Sequence, residues 1–421
     1  MHGRQQRIAG TNAERTKAYN RRVVLAYLLR HDRAGRAEIA KASRLSTQTV
    51  SNLITELASE GLVVSGGRRP SARGQPPVIY SVNPGGAVAF GFEVRPDALY
   101  MVQTDLAGRV LDAVQQPLTL CDPSQVLDRM AEMIAISSTA SVQTRVLGVG
   151  LVMPGPFGVE GLSSAGETVL PLWDDIDVIA RATARLGLPV VLEKDATAAA
   201  IAEGISGVAQ GLTNFCFLYF GSGLGLGVIA GSQPLRGSFG NAGEIGHVVI
   251  RPGGLLCDCH NRGCLEQYVS RMALARHLAA QGWLPDDGPV GPDVVDRVAT
   301  RLLSQADSGL LGWLEQAADA LSQAVGLLEN LFDPQTVILG GGLPDALLTA
   351  LCARIDLPQG SVARHRGRTL PRVQRGASGR LTAAIGAAAL VIHDAVTPRL
   401  DGPPTSAIGR LALPGDEAAL I

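Results

Sequence analysis

The sequence predicts an α/β protein in which a small, mostly helical head (residues 1–84) precedes a larger body (residues 85–399). Apolar residues recur at helical spacing in the head, whereas from Ala87 onward they form strand-like runs that alternate with helical stretches. The chain has 421 residues, which exceeds the usual size of one domain. A hydrophobic content of 46% with 18% charged residues is typical of a folded globular protein. We therefore expect two or three domains.

The charge is distributed unevenly along the chain. Residues 1–80 contain 14 Lys and Arg against 5 Asp and Glu, whereas the rest of the chain contains 23 against 33. A basic head on an acidic body predicts that the head alone meets a polyanion. The alternative, a solvated basic tail, is disfavoured by the helical periodicity of the head.

Three short helices are predicted in the head. Arg21 to Leu29 places apolar side chains on one face, and a second helix starts at Arg36. Ser46 or Thr47 can cap the third helix, and Gly61 is placed to end it. If the third helix lies in a major groove, these short polar groups reach phosphates and base edges: Thr47, Gln48, Thr49, Ser51 and Asn52.

Two strands around a flexible tip are predicted after the third helix, within residues 62–82. The tip carries Arg68, Arg69, Arg73 and Gln75 among glycines and prolines, and such a wing can enter a minor groove. Three helices, a wing and a basic charge together predict a winged helix-turn-helix domain that binds double-stranded DNA. The alternative is a helical bundle for protein contacts, joined to the body by a disordered linker.

The motifs of the body resemble those of the ROK family, which contains repressors and sugar kinases, and the whole chain resembles its repressor branch. The similar segments are VMPGP at 152–156, EKDATAAA at 193–200, FGSGLGLG at 220–227, AGEIGH at 242–247, CDCHNRGCLEQY at 257–268 and GGG at 340–342. The resemblance implies an actin/hexokinase-like (ribonuclease H-like) sugar-kinase fold with two lobes and a ligand in the cleft. We expect a first lobe at 85–196 that is completed by a helix at 379–399, a second lobe at 197–378, and a loosely ordered tail at 400–421.

Three of the six cysteines fall within eight residues, at Cys257, Cys259 and Cys264, and the other three are isolated. With His247 upstream, they offer one imidazole and three thiolates, which is a closed ligand set for a structural zinc ion. The resemblance to the family implies the same site. His260 is a competing fourth ligand, although its adjacency to Cys259 makes simultaneous ligation awkward. The alternative is a loop with reduced cysteines.

The resemblance also assigns residues to the cleft. It implies that Asp195 corresponds to the base that deprotonates the sugar hydroxyl in the kinases, and that Glu244, His247 and Glu266 contact hydroxyls. The asparagine of the family is replaced by Lys194, and the chain contains only three lysines against 34 arginines. Lys194 either pairs with Asp195, meets an anionic ligand, or lies solvated at the rim.

The first phosphate-binding loop of the kinases is degraded in this chain. The residues at that position are Glu93-Val94-Arg95-Pro96-Asp97-Ala98, with no glycine that lets the backbone approach a phosphate. The second loop keeps its glycines at Gly221 to Gly225. Because phosphoryl transfer depends on positioning and charge neutralisation, we predict that the protein uses no ATP, has no catalytic residue and retains Asp195 as a vestigial base.

The predicted function is sequence-specific repression of carbohydrate uptake or metabolism genes, relieved by a sugar or sugar-phosphate effector. Homodimers or homotetramers are expected because the operators of such heads are two-fold. We expect a cytoplasmic protein, since no signal peptide precedes the head and no uninterrupted apolar run approaches the ~20 residues of a membrane span. The alternatives are a sugar kinase with a fused regulatory head and a protein-interaction module with a vestigial cleft.

Overall fold

The computed structural model describes residues 13–68, 77–118, 120–138, 145–159, 163, 169–174, 176–285, 291–377 and 379–396. The predicted wing-tip residues Arg69, Arg73 and Gln75 lie outside the described residues, as do the side chain of Arg68 and the tail from residue 400.

The head contains three helices and a small sheet. Its elements are α1 (Ala13–His31), β1 (Ala34–Gly35), α2 (Arg36–Ser43), α3 (Thr47–Ser59), β2 (Val63–Arg68) and β3 (Val78–Val82). Strand β3 lies between β1 and β2 and pairs antiparallel with both. Ser46 caps α3, since its hydroxyl accepts a hydrogen bond of 3.0 Å from the Thr49 amide, and Gly61 follows the helix at a φ of +74°. The predicted apolar face of α3 is buried: Val50, Leu53, Ile54 and Leu57.

The body contains two five-stranded sheets with the same strand order. The first consists of β4 (Ala87–Val94), β5 (Ala98–Asp105), β6 (Val110–Pro117), β7 (Arg145–Met153) and β8 (Val190–Lys194). The second consists of β9 (Phe215–Phe220), β10 (Leu224–Ala230), β11 (Gln233–Pro234), β12 (Val337–Gly341) and β13 (Val373–Arg375). In each sheet the first three strands form an antiparallel meander, and the last two add in parallel beside the first strand. The α/β fold predicted for the body is confirmed.

Nine helices are described in the body. They are α4 (Pro123–Ser138), α5 (Val178–Leu186), α6 (Asp195–Ser206), α7 (Glu266–Val269), α8 (Arg271–Ala280), α9 (Pro292–Ser304), α10 (Ser308–Phe332), α11 (Asp345–Arg354) and α12 (Thr382–Val396).

Helices α6 and α12 pack against each other between the two sheets. Small residues allow this approach: a Cβ on Gly386 would lie 1.9 Å from the Ala198 carbonyl oxygen, and one on Gly91 would lie 1.9 Å from the Ala384 carbonyl oxygen. Helix α12 lies against β4 and β7 of the first sheet, and α6 lies against β10 of the second. The two helices therefore form the shared core of the lobes.

Among the described residues, one segment, Gly379–Val396, has the length and composition of a membrane-spanning helix. A share of 56% of this segment is buried inside the protein. Its apolar character follows from its position between the two sheets, where α12 contacts other protein on several sides.

Head and body share a hydrophobic core. Val24 and Leu28 of α1 belong to one buried cluster with Ala388, Val391 and Ile392 of α12. Burial of this kind favours association by about 25 cal/mol per Å² of apolar surface removed from water. The head is therefore packed against the last helix of the body.

The connection between head and body is short and tightly packed. The Asn83 side-chain amide donates a hydrogen bond of 2.6 Å to the Gly61 carbonyl oxygen, at the end of the head's third helix. A Cβ on Gly86 would lie 2.4 Å from the same oxygen, so a larger residue does not fit there without a shift. These contacts restrict rotation of the head relative to the first sheet.

Candidate functional site

The outer surface of α3 carries uncharged polar side chains. The Gln48 side-chain amide donates a hydrogen bond of 3.0 Å to Asn52 Oδ1, one helical turn further on. The Thr49 hydroxyl lies 2.8 Å from the Ser46 hydroxyl and belongs to the cap. Thr47, Gln48 and Asn52 are the exposed members of the predicted set on this helix, and Gln48 and Asn52 are its two amides.

The charged residue of α3 faces the head itself. Glu56 pairs with Lys17 at 2.7 Å and with Arg21 at 3.1 Å, both on α1. These cations hold the pKa of Glu56 below its usual value, with the hydrogen bond from Lys17 as the largest cause. The carboxylate therefore stays on the side of α3 that meets α1.

The predicted zinc ligands converge. The ligand atoms of His247, Cys257, Cys259 and Cys264 all lie within 4.8 Å of one another. His247 Nδ1 is 3.6 Å from Cys257 Sγ, and Cys259 Sγ is 3.5 Å from Cys264 Sγ. A tetrahedral zinc ion at about 2.3 Å from each sulfur separates its ligands by about 3.8 Å. The four side chains therefore fit the ion.

The loop that carries the cysteines folds back on itself. An antiparallel bridge joins Val249 to Cys264, and the Gly263 amide donates to the Leu255 carbonyl at 2.8 Å. Gly263 has a φ of +89°, and a Cβ there would lie 1.7 Å from the Arg251 carbonyl oxygen. Only glycine satisfies both conditions.

Burial affects the chemistry of this cluster. It raises the pKa of the Cys257 and Cys264 thiols. Several thiolates therefore share this position only with a compensating cation. Since Nδ1 of His247 faces Cys257, Nε2 is the ring atom that remains for the cleft.

Lys194 is buried, with 2% of its surface exposed, and pairs with Glu244. It also donates a hydrogen bond of 3.0 Å to the Ala242 carbonyl oxygen. Two of the alternatives for Lys194 are therefore wrong, because its ion pair is with Glu244 rather than with Asp195 and its side chain is not solvated at a rim. The sequence could not place Glu244, which lies 50 residues away in the other lobe.

The loop after β7 closes over this pair. A Cβ on Gly155 would lie 2.7 Å from Glu244 Oε1 and 2.9 Å from the Lys194 Cε atom. Across the same cleft, the Asn241 side chain exchanges two hydrogen bonds of 2.8 Å with the backbone of Phe157. The loop after β7 of the first sheet thus contacts the segment that follows β11 of the second sheet directly.

Asp195 is the first residue of α6 and lies beside the second glycine loop. Its Oδ1 accepts a hydrogen bond of 2.6 Å from the Ala196 amide, and its Oδ2 would be 3.2 Å from a Cβ on Gly221. Burial, followed by repulsion from Glu93, raises the pKa of Asp195 to about 7. The side chain therefore changes charge near neutral pH.

Glu266 lies between the cysteine loop and the cleft. It is 5% exposed, and its Oε2 accepts a hydrogen bond of 3.0 Å from the Leu224 amide. Burial raises the pKa of Glu266, and the nearby His247 opposes that shift. The structure thus brings Asp195, Glu244, His247 and Glu266 close to one another. Their role in binding a ligand stays a prediction.

The segment 93–98 turns one of its own side chains, that of Arg95, into the protein. Arg95 is 2% exposed, and its Nε and Nη2 donate hydrogen bonds of 2.6 and 3.0 Å to Glu93. Arg95 Nη2 also donates 2.7 Å to the hydroxyl of Tyr219, which itself donates 2.6 Å to Glu93. Burial opposes the positive charge, yet Glu93 holds the pKa of Arg95 above its usual value. This triad joins β4 of the first lobe to β9 of the second.

Sequence reasoning missed the roles of Arg95 and Tyr219. The sequence shows that residues 93–98 contain no glycine, but nothing local predicts that the Arg95 side chain turns into the protein. Its partner Tyr219 is 124 residues away.

Two five-stranded sheets with the same strand order, and the buried Asp195 carboxyl beside the glycine loop at Gly221, are typical of the class of sugar-kinase-like proteins. The family model described as "ROK family" matches residues 94–394, and the chain belongs to this family.

Relatives of two kinds are similar to the chain. The xylose repressor of Bacillus spizizenii is 29% identical over 325 residues, which cover 77% of this chain and 82% of the relative. The glucokinase of Streptomyces coelicolor is 33% identical over 260 residues, which cover 57% of this chain and 77% of the relative.

Solved structures resemble the fold. A ROK family transcriptional regulator, described as a homologue of the E. coli MLC protein, superposes with a TM-score of 0.66 at 23% identity, covering 91% of this chain and 97% of the other. A ROK family glucokinase from Streptomyces griseus, in complex with glucose and AMPPNP, superposes with a TM-score of 0.58 at 27% identity, covering 72% of this chain and 99% of the other.

Proposed function

We propose that this protein is a DNA-binding transcriptional repressor of carbohydrate uptake or metabolism genes, controlled by a sugar or sugar-derived effector in the cleft between the lobes. The observation that carries the proposal is the buried Arg95–Glu93–Tyr219 triad, which lies where the resemblance to the kinases places their first phosphate loop, in a chain that also has a basic head. Xylose repressors match a larger share of the chain than the glucokinases do, and this supports the same function.

We assign DNA binding to the head (1–84) and effector binding to the two lobes (85–196 with 379–399, and 197–378). The assignment of Thr47, Gln48, Thr49, Ser51 and Asn52 to the DNA surface is supported by the position of the N-terminal half of α3 on the outside of the head. We assign the same role to the four predicted wing residues.

We assign a structural zinc ion to His247, Cys257, Cys259 and Cys264. When bound, the ion supplies a fixed tetrahedral junction and no open coordination position. The four ligands tie the loop 248–264 to the turn that carries Glu244 and His247, and this orients both residues toward the cleft.

Effector binding is assigned to Lys194, Asp195, Glu244, His247 and Glu266. Carboxylates accept hydrogen bonds from sugar hydroxyls, and an ammonium or imidazole N–H donates to them. Lys194 has three N–H donors, and two are used by Glu244 and the Ala242 carbonyl. One donor is therefore left for a ligand.

Coupling between cleft and DNA is assigned to α12. Just before this helix, Arg380 pairs with Asp293 and Asp296 of α9 in the second lobe. The far end of the helix packs against α1 of the head. A change in the angle between the lobes is thereby transmitted to the head as a rigid-body movement. In a homodimer or homotetramer, this movement changes the spacing of the two heads and so the affinity for a two-fold operator.

The proposal is tested with the full chain and duplex fragments selected from the genome, by fluorescence anisotropy at low and moderate salt. We expect one fragment to bind tightly. We also expect one carbohydrate, from a panel of aldoses, sugar phosphates and sugar acids, to release the protein from that fragment. The Glu244→Gln variant should bind the same fragment and respond less to the carbohydrate. Failure to bind any duplex at low salt, or indifference to every carbohydrate, contradicts the proposal.

The second candidate is a sugar kinase with a regulatory head. It is favoured by the pKa of Asp195 near 7, which suits a general base, and by the glucokinase relatives. An ADP-release assay with aldoses and ATP separates the candidates, with Asp195→Asn as the matched control for contaminating kinases. We expect no turnover, and turnover that Asp195→Asn abolishes would establish the kinase instead.

A further inference from the structure

We propose that Gln48 reads an adenine in the major groove of the operator and that Asn52 is the positioning residue that orients the Gln48 amide. This inference rests on the proposed function and names the base and the reading atoms.

The chemistry of α3 limits what it can recognise. Its thirteen residues include one charged side chain, Glu56, which is held by Lys17 and Arg21 of α1. The commonest readers of guanine are arginine and lysine, which donate to O6 and N7. Since Thr47–Ser59 contains neither, its base contacts depend on amides and hydroxyls.

Hydrogen bonds within the head already engage two of the hydroxyls of α3 near its exposed amides. The Thr49 hydroxyl is engaged with Ser46, and the Thr55 hydroxyl donates 2.9 Å to the Ser51 carbonyl in the preceding turn. The hydroxyls of Thr47 and Ser51 remain, but only an amide offers a donor and an acceptor side by side. The exposed amides of Gln48 and Asn52 are therefore the groups of α3 that can pair with one base edge through two hydrogen bonds.

The hydrogen bond between the two amides indicates that Gln48, rather than Asn52, reads the base. Gln48 uses one N–H in its 3.0 Å hydrogen bond to Asn52 Oδ1. Its second N–H and its Oε1 remain, and together they match the N7 acceptor and the N6 donor of adenine. The hydrogen bond to Asn52 restricts rotation of the long Gln48 side chain, which lowers the entropy that is lost when the base is bound.

Cations adjacent to α3 are placed for a different task. Lys41 and Arg44 are exposed at the end of α2 and in the turn before α3. Because phosphates line both sides of the major groove, these side chains are suited to contact the DNA backbone without reading its sequence. If Lys41 and Arg44 bind phosphates and Gln48 reads a base, the affinity for DNA should depend on salt, and the selectivity between sequences should depend on Gln48.

The experiment is selection from randomised duplexes with the full-length protein, followed by anisotropy on the selected site. We expect an invariant A·T pair in each half-site, and replacement by G·C should weaken binding about 5- to 150-fold, the range measured for one bidentate base contact. Gln48→Ala should lose this preference. Asn52→Ala should reduce it, and Ser59→Ala on the same helix should leave it unchanged.

A single-atom substitution isolates the contact. Replacing the adenine by 7-deazaadenine removes N7, so it should weaken binding of the wild-type protein and leave binding of Gln48→Ala unchanged. Selected sites with G·C at the position that depends on Gln48, or a Gln48→Ala variant with the wild-type base preference, would overturn the inference while the protein remains a DNA-binding repressor. Enrichment of no duplex by a folded protein would overturn the proposed function as well.

Discussion

Replacing Arg95 by methionine tests whether the buried triad holds the lobes together. Arg95→Met keeps most of the volume of the side chain and removes the guanidinium. Glu93, which is fully buried, then keeps the hydrogen bond from Tyr219 and loses both bonds from Arg95. Tyr219 also loses the hydrogen bond that it accepts from Arg95.

The expected loss follows from the burial of the pair. Removing one partner of a buried ion pair typically costs about 3–5 kcal/mol, because an uncompensated charge stays in a medium of low dielectric constant. The remaining donor, Tyr219, offsets part of this cost, so we expect a decrease of about 3 kcal/mol in the free energy of unfolding. Replacing both partners by apolar residues of similar volume is often neutral. The double variant Glu93→Leu/Arg95→Met should therefore be more stable than Arg95→Met alone.

The measurement is urea unfolding at 25 °C, followed by tryptophan fluorescence, for the wild type, the two single variants and the double variant. The double-mutant cycle separates the interaction between Glu93 and Arg95 from effects on the rest of the chain. A decrease below about 1 kcal/mol for Arg95→Met, the size expected for a surface pair, would refute the assignment of a buried interlobe bond. A double variant as unstable as Arg95→Met would refute it too.

Three further predictions concern the cleft, the cysteine loop and the contact between head and body. Burial and Glu93 raise the pKa of Asp195 to about 7, so the native state binds this proton more tightly than the unfolded state, and stability is lost as pH rises from about 4 to 7. Asp195→Asn should therefore raise the urea midpoint at pH 8 and leave it unchanged at pH 4. Equal effects at both pH values would contradict the raised pKa. Cys264→Ser should lower the melting temperature by several degrees and reduce the zinc content measured by atomic absorption, whereas an unchanged zinc content would remove Cys264 from the site. Ile392→Ala should decrease the free energy of unfolding by about 2–4 kcal/mol in urea titrations and weaken the effect of the carbohydrate on DNA affinity, and full retention of that effect would exclude α12 as the route.

Much of the fold follows from local patterns. The helical spacing of Val50, Leu53, Ile54 and Leu57 predicts the buried face of α3, and Ser46 and Gly61 mark its two ends. Alternation and apolar runs predict most strands of the first sheet. Each of these features depends on residues that are close together in the chain, so it can be predicted from the sequence alone.

Part of the site also follows from the sequence. His247, Cys257, Cys259 and Cys264 are chemically distinctive and lie within 18 residues, so they form one cluster in the structure as expected. The motifs predict which carboxylates line the cleft, and this assignment stays a prediction. The base preference of the head, the effector specificity of the cleft and the division of the chain into domains also remain predictions.

The amino-acid sequence by itself determined the three helices and the sheet of the head, the strands of the first sheet, the basic character of the head and the identity of the converging cysteines. Only the tertiary structure decided what the two cations of the cleft do: Lys194 pairs with Glu244 of the opposite lobe, and Arg95 turns inward to Glu93 and Tyr219. The reason is physical, since the charge state and orientation of a buried side chain depend on the partners that compensate its loss of water. Glu244 lies 50 residues from Lys194 in the sequence, and Tyr219 lies 124 residues from Arg95. The packing of the two sheets around α6 and α12 brings each pair into contact.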